Sequence, residues 1–254
     1  MTWLLWRYAR RLALLGVVAL APCLRAEDLV AEGDRYYAAF DNVKALDCYR
    51  KAYAKAPADA DLLAKLTWTC NNVGEDLDSK ASEAHFEQAV QYAEALVKLA
   101  PKSAKTYFLL AMTKGNLALY RGGRQKVTLS RTLERDARRC VELDPTYSPG
   151  YATLGVYYRE VATLNWVLKK VAQELLGGLP DGTLEKSEAM FLKAIETDPG
   201  NVYAHYQLAI TYEAMKQPAK AVQYYRKVLE LPMVDHQDPV FRRRSQERIA
   251  KLSA

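Results

Sequence analysis

The segment GDRYYAAFDNVKALDCYRKAYAKAP, residues 33–57, decides the fold. Gly33 and Tyr36 sit three apart, as neighbours on one helical face do. Ala45, Tyr49 and Ala52 repeat that spacing further on, and Pro57 closes the segment. The pattern predicts two short helices facing each other. Gly33, Ala45 and Ala52 allow close approach, while Tyr36 and Tyr49 supply bulk. Pro57 ends the unit, because proline cannot continue a helix and fixes the entry of the next one.

The same ending recurs. Ala93 to Pro101, Ala137 to Pro145 and Phe191 to Pro199 keep the spacing of Tyr49 to Pro57, and the four prolines lie 44, 44 and 54 residues apart. A fifth, imperfect copy ends at Pro232 and carries Leu208, Ala209, Tyr212, Ala221 and Tyr225. One such hairpin cannot bury its own apolar face, so registered copies must stack. The chain is half apolar and holds only 12 glycines and 10 prolines among 254 residues, a composition for long helices rather than many short strands.

In a 34-residue frame, Gly33, Tyr36, Ala45, Tyr49, Ala52 and Pro57 take offsets 8, 11, 20, 24, 27 and 32, and Tyr151, Leu154, Gly155 and Tyr158 take offsets 4, 7, 8 and 11. This resembles the tetratricopeptide (TPR) repeat. The resemblance implies an all-α solenoid of about five helical hairpins, 27–57, 58–101, 102–145, 146–199 and 200–233, within an array over 27–237. Residues 238–254 follow as a capping helix opened by Asp238-Pro239. Its Arg242, Arg243, Arg244, Arg248 and Lys251 suit the polar face of a terminal cap, or alternatively a basic contact patch.

Three copies are stretched. The second and third carry ten extra residues between offsets 11 and 20 (Cys70 to Ala89, Lys114 to Leu133), and the fourth carries twenty (Tyr158 to Ser187). Gly122-Gly123 marks the turn of the third. In the fourth, Val161, Leu164, Leu168, Val171, Ala172 and Leu175 form a helical stripe that Gly177-Gly178 stops. Joined to the repeat helix before it, this stripe predicts one rod of roughly 45 Å. From Leu62 to Leu252 the stretched pattern is similar to the helical-repeat domain of the regulator of microtubule dynamics family. The residues that carry the similarity include Trp68, Leu154-Gly155, Leu164-Asn165-Trp166, Lys169-Lys170, Gly177 through Pro180 and Ala189-Met190-Phe191. That resemblance implies phospholipid binding through this domain in some members and microtubule association in others.

Residues 1–26 read as a signal peptide: Arg7, Arg10 and Arg11, an apolar run Leu12–Leu20, Pro22, then Leu24-Arg25-Ala26. They predict export, to the periplasm in a bacterial-type cell; an uncleaved anchor or a lipoprotein joined through Cys23 are the alternatives. The segment holds four arginines and no acid, so the net charge of +6 falls to 32 basic against 30 acidic residues without it. A near-neutral remainder argues against nucleic acid as a partner. Cys48, Cys70 and Cys140 show no paired spacing and read as small packing residues.

No catalytic set, cofactor motif or metal site emerges. His85, His205 and His236 are scattered, HExxH and CxxC are absent, and Arg121-Gly122-Gly123-Arg124 is a turn rather than a phosphate loop. Asp235-His236-Gln237-Asp238 groups ligand-type side chains too sparsely to specify a metal. The TPR resemblance implies instead a concave groove lined from the first helix of each unit: Trp68 and Asn71; Phe108, Met112 and Asn116; Val156 and Arg159; Tyr203, Tyr206 and Ile210. The set is apolar and aromatic, and Lys105 is its only neighbouring lysine at the groove offsets. It suits a protein or amphipathic peptide partner, with a phospholipid as the alternative, unless the stripe around 161–176 folds back and fills the groove.

Overall fold

A computed structural model describes residues 25–77, 80–177 and 181–253. The signal segment therefore lies, but for its last two residues, outside the described residues. Within them every regular element is an α-helix, twelve in all: α1 (Ala26–Ala38), α2 (Asn42–Tyr53), α3 (Ala60–Asp76), α4 (Lys80–Leu99), α5 (Ala104–Arg121), α6 (Gly123–Leu143), α7 (Ser148–Ala162), α8 (Trp166–Leu176), α9 (Leu184–Thr197), α10 (Val202–Ala214), α11 (Pro218–Glu230) and α12 (Asp238–Leu252). The chain is an all-α helical-repeat solenoid. The hairpin partners are α1/α2, α3/α4, α5/α6, α7/α9 and α10/α11, and α12 packs on α11 and α10.

Local chemistry sets the helix starts. The side chains of Asp41, Asp59, Asn165, Thr183 and Asn201 each accept a hydrogen bond from the backbone N–H three residues on, satisfying a donor that the helix leaves free. The offset pattern then packs as its residue sizes demand. A Cβ on Gly33 would lie 2.5 Å from the Tyr49 ring, and one on Gly155 would lie 2.8 Å from the Phe191 ring. Both rings are fully buried, so glycine is what lets the paired helices meet.

The two unstretched hairpins close alike. Phe40 and Lys216 both adopt a left-handed φ, 59° and 58°. Beside them Asp41 N–H donates to Tyr36 O and Gln217 N–H to Tyr212 O, both at 2.9 Å. The ten-residue insertions simply lengthen both helices: α3/α4 run 17 and 20 residues and α5/α6 run 18 and 21, against 13 and 12 in α1/α2.

The twenty-residue insertion does not make a longer rod. α7 stops at Ala162, where the Thr163 hydroxyl donates back to Arg159 O at 2.8 Å, and the Asn165 side chain opens α8 by accepting from Leu168 N–H at 3.0 Å. The apolar stripe thus spans two helices, and a capping asparagine breaks it. α8 ends at Gly177 with φ 73°. It lies against α6, and none of its residues lines the concave cavity.

α3, α5, α7 and α10 touch one another in succession and form the inner layer. Across it comes the segment between α11 and α12, whose Gln237 donates to Asp76 at the end of α3, 161 positions away. The C-terminal segment therefore ties the last hairpin to the second and covers part of the concave face. No described helix is long and apolar enough to cross a membrane.

Candidate functional site

The inner layer and the covering segment line a half-open cavity of about 620 Å³. Of the ten groove residues expected from the sequence, Trp68, Asn71, Phe108, Met112, Asn116, Val156 and Tyr203 line it. Trp68 and Phe108 form its aromatic wall, with ring centroids 5.5 Å apart, and Phe108 in turn meets Tyr147 at 5.7 Å. Leu119, Leu133 and Tyr157 extend the apolar surface toward α6 and α7.

Arg159, Tyr206 and Ile210 do not line the cavity. Arg159 is only 8% exposed and donates through both terminal nitrogens to Gln207, at 3.0 Å to its carbonyl and 2.7 Å to its side chain. Tyr206 stacks on Phe241 of α12, with centroids 4.6 Å apart and planes 22° from parallel. Ile210 packs into the apolar cluster shared by α9, α10, α11 and α12. The repeat offsets assume a bare concave face; here neighbouring helices and the cap cover these three.

The polar lining comes largely from residues that the offsets did not single out. Glu75, in the last turn of α3, accepts at one oxygen from both Asn71 (3.0 Å) and Asn116 (2.6 Å). Its other oxygen faces the His236 ring at 3.6 Å. His236 also lies 3.6 Å from Asp76 and 2.9 Å from Asp235. Asp238 fixes the loop by accepting from the N–H groups of Val234 and Asp235 at 2.7 and 2.8 Å. Toward α6 and α7, Lys126 pairs with Glu160 at 2.5 Å.

Burial raises the Glu75 carboxyl to about 7, against the pull of His236 and the two asparagines. For His236, burial opposes the charged ring, but the hydrogen bond and charge of Asp235 with the charges of Asp76 and Glu75 outweigh it and raise the pKa. Burial likewise works against ionised Asp235, yet His236 and the Gln237 N–H hold its pKa below the usual carboxylate value. The Asp235–Asp238 stretch is thus a strap with one internal ion pair, His236–Asp235, and two to α3. Among the described residues no group of His, Cys, Asp and Glu has the arrangement of a metal site.

Residues 29–253 match the family described as regulator of microtubule dynamics protein 1-3. The chain is similar to regulator of microtubule dynamics protein 3 of Mus musculus, 28% identical over 156 residues, which are 61% of this chain and 33% of that protein. It is similar to protein 1 of Bos taurus, 22% identical over 226 residues, 87% of this chain and 70% of that one. The chain thus spans only about a third of the length of the mouse relative. In fold it is similar to a thermophilic TPR protein of Thermus thermophilus, with a TM-score of 0.67 at 19% identity, covering 89% of this chain and 99% of that one.

Proposed function

Because the chain belongs to the regulator of microtubule dynamics protein 1-3 family and folds as a TPR-like solenoid, we propose that it is a non-catalytic binding protein that holds a short apolar segment of a partner polypeptide. The observation that carries this reading is the half-open cavity, about 620 Å³ in volume, walled by Trp68, Phe108, Met112 and Val156. Binding sites of this kind run from roughly 300 to 1,000 Å³ and combine apolar walls with a few placed polar groups. Aromatic walls offer large contact area with little side-chain freedom to lose. The N-terminal segment supports an extracytoplasmic setting, where the cleaved chain is at most peripheral to a membrane.

The apolar part of the wall also suits a second reading, in which the occupant is the acyl part of a phospholipid. The two are separated by one set of measurements on the purified protein. Peptides selected from a random heptamer library are expected to lose binding in Met112→Glu and Leu119→Glu, both on the cavity wall, and to keep it in Phe40→Glu, which sits in the exposed α1–α2 turn. Equal binding to all three variants would overturn the peptide reading. Phospholipid co-purifying with the wild type and absent from both wall variants would replace it with the second.

A further inference from the structure

The charges around the cavity are unbalanced. Glu75, Glu160, Asp198, Asp235 and Asp238 contribute carboxylates, against the full cations Lys126 and Arg244 and the ring of His236. Lys126 is already engaged with Glu160. Asp235 and Asp238 are turned to the strap's own ring and N–H groups. Glu75 is different. Both asparagine donors fall on the same oxygen, and the second oxygen has no donor within hydrogen-bond reach among the described residues, His236 standing off at 3.6 Å. The side chain keeps 29% of its surface accessible, on the cavity that it lines. A carboxylate oxygen that faces the cavity without a hydrogen bond of its own, its nearest cation His236 at 3.6 Å, can accept a charge-assisted donor from a ligand.

Resting on the peptide reading above, we propose that the cavity selects a basic, apolar peptide segment, whose lysine or arginine reaches the open oxygen of Glu75 while flanking aliphatic and aromatic side chains lie on Trp68, Phe108 and Met112. Charge complementarity selects the occupant: an acidic segment, or an anionic head group, would meet a lining in which Glu75, Glu160, Asp198, Asp235 and Asp238 outnumber Lys126, Arg244 and His236. The cavity also grows more negative as pH rises. Glu75 gains its charge around 7 and His236 loses its own, facing Asp235 on the same strap and Glu75 and Asp76 on α3. Across α5 the group facing Glu75 is Asn116, which does not titrate.

The test uses three end-capped pentapeptides as probes, Leu-Lys-Leu-Lys-Phe, Leu-Gln-Leu-Gln-Phe and Leu-Glu-Leu-Glu-Phe, titrated by calorimetry into the full chain. The lysine peptide is expected to bind about tenfold tighter than the glutamine peptide at pH 8, a difference of about 1.4 kcal/mol. The glutamate peptide is expected to bind weakest, and the lysine advantage to shrink at pH 6. Glu75→Gln, which keeps size and hydrogen-bonding capacity, is expected to remove most of that advantage without weakening the glutamine peptide. Equal affinity of the lysine and glutamine peptides overturns the charge selection while leaving a peptide site in place. Failure of all three to bind, or to displace a co-purified phospholipid, overturns the peptide site and the selection together.

Discussion

His236 and Glu75 stand 3.6 Å apart, one in the segment before α12 and the other in the last turn of α3. Their contact holds the segment before α12 across part of the inner layer. Both have raised pKa values, so both act on stability with the same sign. A raised histidine pKa stabilises the fold fully below its unfolded value of 6.5 and is lost as pH rises through the folded value. Glu75, raised from 4.5 to about 7, likewise favours the fold at low pH and ceases to as it ionises. Asp235, lowered, acts oppositely, its contribution present above 3.8 and lost as pH falls through the folded value. Thermal unfolding is therefore expected at a lower temperature at pH 8 than at pH 6. The drop should shrink in the His236→Asn, Glu75→Gln double variant; an equal drop would remove the strap from the account.

Gly155 and Phe191 form the joint of the fourth hairpin. Phe191→Ala is expected to cost roughly 3–5 kcal/mol, as deletion of a fully buried aromatic does. Gly155→Ala places a methyl against the same ring and is expected to cost roughly 1–3 kcal/mol. Denaturant melts of both variants measure this, and a neutral Gly155→Ala would mean that the helices approach less closely than described.

Asn165→Ala removes the cap of α8, worth about 1 kcal/mol. Since α8 rests on α6 outside the hairpin stack, the loss is expected to stay local. Amide exchange over residues 166–169 should speed up about fivefold, while global unfolding holds. A matching loss of global stability would show that α8 is part of the cooperative core.

Much of this architecture was legible because it is local. The small residues at Gly33, Ala45 and Ala52, the bulk of Tyr49 and the helix-stopping prolines act within one hairpin, so their spacing alone encodes the packing. The break at Leu164-Asn165 was not, because the apolar stripe runs unbroken through it and periodicity records faces rather than ends. The cavity was less legible still. Nothing near Asp235 signals that the segment reaches Asp76, and Glu75 carries no mark of its position until α5 and the strap surround it. Arg159, Tyr206 and Ile210 fall outside the cavity for the same reason: their cover comes from distant sequence.

Cys48, Cys70 and Cys140 are buried free thiols, and burial raises Cys70 to about 11 and Cys140 to about 12. A thiol-specific disulfide reagent at pH 8 is expected to leave all three unmodified in the folded protein and to react on unfolding. Labelling of Cys140 in the native state would contradict its burial on α6 against α5 and α7.

The central claim, that ligand enters the cavity of the inner layer, is tested most directly by methyl resonances of the methionines. Met112 lines the cavity, whereas Met190 and Met215 do not line it and pack against the apolar core. On titration with the lysine pentapeptide, the Met112 methyl is expected to shift in step with binding while those of Met190 and Met215 stay in place. Binding that leaves Met112 unmoved, or that moves Met190 or Met215 instead, would contradict the assignment.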